Sequence, residues 1–391
     1  MDGFTAFIRF PASILSSFPV LAICLVLSLA LLFGPLRNYV YRWAQQRRTL
    51  ATLFPPPPPL ASLPPPPNVR PFKSIYHHAT SVFPHSPAFL ISLDTTFPSR
   101  IASRISILSS TPHAMGALSA ALPAVTELYT YLTQSYLPTR CPNLFKLTPT
   151  HLLTATAPRS HSLTPTHSLI PKDPLFALGA LVDEDFLFLL SGPSGYTLGA
   201  YIVAYGTGFT QTGLLGANLT DLHAKVPGWN ADLGRSVERW VGRLRAGEVW
   251  GRCNWAVTEN GRLREEEGEN QVHNHEQWDS EGVNVDASEA HLGTEIQLFY
   301  RLPQSGVVVF SYKTFLYPLA EVRKEGSGPA LADAIERLGT GSVPEMKRYE
   351  DADLWGEAVC RYLREKEGVK ALEERGPSSL RKRRRARRRS G

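Results

Sequence analysis

The sequence predicts an α+β domain: a largely antiparallel sheet with flanking helices, preceded by one N-terminal transmembrane helix. Three observations predict it. The body of the chain carries two hairpin signatures, its helical periodicities fall in blocks instead of alternating with the strands, and an uncharged apolar run stands near the N-terminus. No glycine-rich phosphate loop and no strand–helix alternation occur, which argues against a nucleotide-binding fold.

The apolar run comes first. No charged residue occurs from 10 to 36, and 20–33 reads VLAICLVLSLALLF. After a short segment over 1–13, a transmembrane helix is expected over 14–36. A cleaved signal peptide is the poorer reading, because the run is long, lacks a small-x-small cleavage site and leads into Arg37, Arg42, Arg47 and Arg48. Those four arginines, against Arg9 alone before the run, orient a single-pass membrane protein with its C-terminal domain in the cytosol. In that compartment the Asn218-Leu219-Thr220 sequon is idle, since glycosylation needs the lumen. Proline runs at 55–59 and 64–67 then favour polyproline II, so 37–70 reads as a basic flank and a semi-rigid spacer rising ~3.1 Å per residue.

Charge and cysteine content narrow the function classes. The 391 residues carry a formal charge of +6, which by itself suggests nucleic acid. The polybasic tail over 379–391 holds +8 of it and residues 1–70 hold +5, so the stretch between carries −7. Nucleic acid is therefore the poorer partner, and the basic residues over 381–389 suit anionic lipid. The four cysteines, Cys24, Cys141, Cys253 and Cys360, form no CxxC pair, which excludes a disulfide scaffold and argues against a cysteine-only metal site.

Within the domain expected over 71–378, Leu122, Val125, Leu128, Tyr131 and Leu132 mark a helix over 122–136, with Pro123 in its first turn and Pro138 closing it. The Thr-, Ser-, His- and Pro-rich stretch over 147–174 shows little helical or strand pattern. Apolar runs over 186–190 and 196–205 flank Gly192-Pro193-Ser194-Gly195, a hairpin signature. Runs over 295–302 and 307–319 flank a second turn, and a shorter strand is expected over 252–257. Helices follow from the patterns over 231–244, 330–338 and 353–365, with Asp353 as the cap of the last.

No GxSxG or HExxH motif spells a hydrolase. His273-Asn274-His275-Glu276 looks metal-like but sits in an acidic, apolar-poor stretch, so it reads as a solvated loop. His223 precedes the helix over 231–244; from pattern it is either a hydrogen-bonded structural histidine or a ligand. Arg252 and Arg301 stand in or beside strand patterns, where arginines are solvated edge residues or pair with carboxylates.

An ordered series of strings carries a resemblance. It runs through Asp183-Glu184-Asp185-Phe186-Leu187, Val226-Pro227-Gly228, Arg252-Cys253-Asn254-Trp255 and Arg301-Leu302-Pro303. It ends with Lys313-Thr314-Phe315-Leu316-Tyr317-Pro318-Leu319 and Trp355-Gly356-Glu357-Ala358-Val359, and Leu93-Asp94-Thr95-Thr96-Phe97 stands upstream. The series resembles the haem-dependent oxidative N-demethylase α-subunit-like family, and looks like its fungal branch, over about residues 71–366. The resemblance implies a PAS-like sheet holding a b-type haem. It also implies O2-dependent removal of a methyl group from a small secondary amine as formaldehyde. Electrons would come from NADPH through flavin and iron–sulfur partners; the chain shows no such segment, so a separate electron-transfer reductase is implied. On the same ground His223 becomes the axial ligand to the metal, and Arg252 and Arg301 become haem-propionate partners; no catalytic residue is assigned. Two positions depart from the family pattern: Ile296 stands where relatives commonly carry arginine, and Lys225 where they usually carry proline. The departure at Ile296 favours the alternative, a non-catalytic haem-binding or sensory module.

Overall fold

A computed structural model of the chain describes residues 62–72, 81–155, 163–205, 213–258, 261–263 and 286–365. The transmembrane helix expected over 14–36, the first proline run, His273–Glu276 and the basic tail lie outside the described residues. Among the described residues no helix is long and apolar enough to cross a membrane.

The body begins with β1 (Phe83–His85), α1 (Phe97–Ser110) and β2 (Met115–Ala117), and α2 (Leu122–Tyr131) follows with Pro123 in its first turn, as expected. Pro138 does not close the helical stretch. A π turn over Leu132–Tyr136 carries the chain into α3 (Leu137–Arg140), where Pro138 occupies the first turn. A proline in that position lacks an N–H that would have no intrahelical partner anyway.

The stretch expected to be patternless forms β3 (Phe145–Leu147), β4 (His151–Ala155) and β5 (Leu163–Ser168), a separate three-stranded antiparallel sheet. Tertiary contacts hold it. Phe145 meets Phe97 edge to face at 5.9 Å, and the Tyr129 hydroxyl donates to the Ser168 carbonyl at 2.7 Å. The helix α4 (Pro174–Gly179) starts at Asp173, whose carboxylate accepts from the Leu175 and Phe176 N–H groups.

Both expected hairpins are present. The first joins β6 (Asp185–Gly192) to β7 (Gly195–Ile202), with Gly195 at φ +100°, a conformation that favours glycine. After α5 (Leu219–Leu222), α6 (Ala231–Arg243) and β8 (Val249–Thr258), the second hairpin joins β9 (His291–Arg301) to β10 (Val308–Pro318). The chain closes with α7 (Leu319–Lys324), α8 (Gly328–Arg337), α9 (Met346–Tyr349) and α10 (Ala352–Arg364). Asp353 does not cap α10. The cap is Asp351, while Asp353 sits in the first turn and pairs with Lys347 at 3.2 Å.

The main sheet has seven strands in the order β1-β8-β9-β10-β6-β7-β2, every neighbouring pair antiparallel. Register pairs Arg252 with Gln297 and Gln297 with Tyr312; it likewise aligns Trp250, Phe299, Phe310 and Leu187. These residues share one face, which packs against Leu219, Trp229, Val237, Trp240 and Val241 of the α5–α6 segment. At the β8–β9 end, Val257 and Leu292 pack into a second core with Leu319, Leu331, Trp355 and Leu363 of the C-terminal helices.

Several of the strings that carry the resemblance meet in a buried ionic network. The Lys313 ammonium donates to Asp94 (2.7 Å) and to the Ser92 carbonyl (2.7 Å) and lies 3.1 Å from Asp183. Arg100 donates to Asp183 at 2.5 Å. Arg104, fully buried, donates to Asp185 (2.5 Å), to the Glu184 carbonyl (2.6 Å) and to the Gly179 carbonyl (2.6 Å). The network ties α1 to the start of β6 and to β10.

The second proline run is docked on the domain. The Pro64 carbonyl accepts from the Thr95 N–H at 2.8 Å, and the Pro67 carbonyl from the Tyr317 hydroxyl at 2.6 Å. Arg70 pairs with Glu325 at 2.5 Å and lies over the Tyr317 ring.

Candidate functional site

A cavity of about 400 Å³ opens between the sheet face and the α5–α6 segment and extends to the C-terminal helices. This lies within the ~300–1,000 Å³ of small-molecule and cofactor sites. Leu187, Leu189, Phe299 and Phe310 from the sheet, and Trp229, Val237 and Trp240 from α6 and the turn before it, make its apolar walls. His223, Arg252, Asn254, Gln297 and Glu350 supply polar groups.

The position of His223 follows from local sequence. Asn218 caps the single turn of α5, its side chain accepting from the Asp221 N–H, and His223 ends that turn. Val226-Pro227-Gly228 then reverses the chain, with Gly228 at φ +76°, and the Trp229 N–H closes back on the Val226 carbonyl at 3.2 Å. The turn returns the Trp229 indole onto the His223 ring, stacked at 3.9 Å with an 8° interplanar angle. His223 Nδ1 lies 2.7 Å from the Leu219 carbonyl oxygen. A carbonyl only accepts, so this contact calls for a proton on Nδ1; in the neutral ring the lone pair is then on Nε2, the arrangement that metal-binding histidines adopt. Lys225 is exposed on this loop and does not line the cavity.

Arg252 and Gln297 share the cavity face of the sheet. Gln297 Nε2 donates to Glu295 Oε2 at 2.6 Å. Burial pushes the Glu295 carboxyl up, offset in part by that hydrogen bond and by the Arg252 charge. Glu350 is pushed up to about 7, first by loss of hydration and then by the charges of Asp351 and Glu295.

Arg301 lies apart from these residues and lines no part of the cavity. Its guanidinium donates to the carbonyls of Leu244 (2.7 Å), Gly306 (2.5 Å) and Val241 (3.0 Å) and to the Tyr196 hydroxyl (2.9 Å). The structure thus joins His223 and Arg252 in one cavity and gives Arg301 the work of clamping the β9–β10 turn to the end of α6. Ile296 is also outside the lining; strand alternation turns it to the face opposite Glu295 and Gln297.

The residues present fit a haem. Such a group asks the protein for an axial donor, apolar walls around the macrocycle and positive charge near its carboxylates. His223 Nε2, the Trp and Phe walls and Arg252 supply these in turn. The Trp229 indole N–H is buried with no hydrogen-bond acceptor among the described residues, leaving a donor at the same wall. No group of three His, Cys, Asp or Glu among the described residues converges to hold a bare metal ion. Pattern reading missed Trp229, Gln297 and Glu350: the first two lie beside noticed strings, whereas nothing near Glu350 in the sequence marks it.

Comparison with curated proteins gave no match. Comparison with protein families matched residues 81–360, from just before β1 into α10, to the family described as haem-dependent oxidative N-demethylase, alpha subunit-like. That span covers most of the chain and every residue of the cavity except Pro71, and by it the chain belongs to this family.

Proposed function

We propose that the chain is the haem-binding subunit of an O2-dependent oxidative N-demethylase acting on a small secondary amine. The observation that carries the reading is His223, protonated at Nδ1 by its contact with Leu219 and held against Trp229 in an apolar-walled cavity. His223 Nε2 would be the axial donor, and the Leu219 carbonyl would fix the ring and raise its basicity. Arg252 would neutralise a propionate. The walls formed by Leu187, Leu189, Phe299, Phe310 and Trp240 keep bulk water from the reacting carbon. When bound, the haem supplies the oxygen chemistry: O2, two electrons and two protons convert the N-methyl group to formaldehyde and water and leave the demethylated amine. The electrons would come from NADPH through flavin and iron–sulfur groups of separate reductase subunits, in keeping with the word "subunit" in the family's description.

The uncharged run before the arginine flank supports a second element of the proposal. Residues 14–36 anchor the chain in a membrane, with the domain on the cytosolic side and residues 381–389 against anionic lipid.

The full chain, loaded with haem and given a chemical or enzymatic reductant, is expected to release formaldehyde from dimethylamine in air. Haem binding without formaldehyde release under those conditions would leave the sensory reading in its place.

A further inference from the structure

Where the C-terminal helices reach the cavity, its wall changes character. Trp255, Met346, Tyr349 and Glu350 line it there. Glu350 lies in the turn between α9 and α10, and its backbone is fixed on both sides. Its N–H donates to the Met346 carbonyl at 3.0 Å, and its carbonyl accepts from the Trp355 indole at 2.9 Å. The next residue, Asp351, is held at φ +51°, in the left-handed region that non-glycine residues seldom occupy.

No donor among the described residues hydrogen-bonds the Glu350 carboxyl, and the charges that act on it are negative: Asp351 from its own turn and Glu295 from β9. The cation of the cavity lining is placed elsewhere. Arg252 on β8 acts on Glu295. Tyr349 and Trp255 line the same cavity as Glu350. A carboxylate without a donor, beside aromatic rings, is the chemistry that recognises an alkylammonium: the anion supplies the countercharge and the acceptor, and the ring faces attract the N-methyl groups.

We propose that Glu350, with Trp255 and Tyr349, forms the subsite that holds the cationic head of the substrate, a small protonated alkylamine. The assignment deepens the amine reading above and rests on it for the kind of cation. Ammonium binding restores the ionised carboxylate that burial alone disfavours, so Glu350 selects charged over neutral ligands of the same shape. Glu350 is here a specificity-determining residue, and no proton transfer is assigned to it.

Calorimetric titration of the full chain tests this, with dimethylammonium chloride and with dimethyl ether as the neutral isostere, at about pH 8.5 where the carboxyl is ionised. The wild type is expected to bind the ammonium at least about tenfold more tightly than the ether. Glu350→Gln is expected to lose about tenfold for the ammonium with the ether unchanged, and Glu350→Asp, which keeps the charge, to recover part of the loss. Equal affinity of wild type and Glu350→Gln for dimethylammonium, or no binding by the wild type, overturns the subsite. Far-UV circular dichroism and melting of both variants show whether a loss reflects unfolding, and in that event the Glu350→Asp result decides. Running the titrations with and without haem separates the two readings. Glu350-dependent binding in a chain that takes up no haem defeats the haem assignment alone, and haem uptake with Glu350-independent binding defeats the subsite alone.

Discussion

The His223 ring is fixed by two unlike contacts, a hydrogen bond to the Leu219 carbonyl and an indole stacked on its face. The first sets the tautomer and the second sets the ring plane, so the second is open to mutation. Trp229→Leu is expected to weaken haem retention by about tenfold, measured as the rate of haem transfer to an apo-globin acceptor; an unchanged rate would show that the stack does not orient the ligand. Arg301 has a different task. Arg301→Lys keeps the charge but loses the planar fork that serves four acceptors, and is expected to cost about 2–3 kcal/mol in chemical denaturation with the haem spectrum unaltered. A spectral change without loss of stability would return Arg301 to the cofactor site. The two arginines looked alike beside their strand patterns, because sequence shows that an arginine is near a strand and not which acceptors the neighbouring turns bring to it.

At the scale of elements, the buried ionic network should dominate over surface pairs. Lys313→Met leaves Asp94 and Asp183 without their shared ammonium and is expected to cost about 3–5 kcal/mol in chemical denaturation. Arg364→Ala removes exposed pairs with Asp333 and Glu336 on the helix surface and is expected to cost less than ~1 kcal/mol. Similar costs for the two would show that the network does not hold α1 to the sheet. The same network explains which elements the sequence concealed. The buried face of α1 carries Phe97, Arg104 and Leu108, so a charged residue interrupts the apolar stripe, and only carboxylates remote in the chain make that burial possible. The strands β3, β4 and β5 are short, lie in or beside a stretch rich in Thr, Ser, His and Pro, and gain their order from contacts such as Phe145 on Phe97. The two hairpins were legible because their turn residues and apolar alternation are local. Asp353 was misread as a cap because the chain turns two residues earlier, at the left-handed Asp351.

On the scale of the whole molecule, the cavity gathers residues from β6, β8, β9, β10, the loop after α5, α6 and the α9–α10 turn. His223 and Arg252 drew notice in the sequence because each lies in or beside a string that carries the family resemblance. Glu350 did not, since its role arises only where the C-terminal helices meet the sheet. Buried carboxyls also give the fold a pH signature. Loss of hydration pushes Glu184 up to about 7, so the native state holds a proton there that the unfolded chain has released above its ordinary carboxylate value. Native stability therefore falls as pH rises from about 5 to 8, by on the order of 3 kcal/mol from this group, and Glu184→Gln is expected to flatten the dependence of Tm on pH over that range. Asp94 acts oppositely: Lys313 and Thr96 outweigh its loss of hydration and hold its carboxyl below the ordinary value, so its contribution is lost only as pH falls through that lower range. The docking of residues 64–70 on Tyr317, Thr95 and Glu325 makes the full chain, and not a fragment trimmed at residue 71, the material for functional work. The most direct measurement is accordingly the absorption spectrum of the purified full chain after expression with haem supply, beside that of His223→Ala. A Soret band in the wild type that shifts or vanishes in His223→Ala is the predicted result; no haem absorption in the wild type, or the same band in both, would contradict the account.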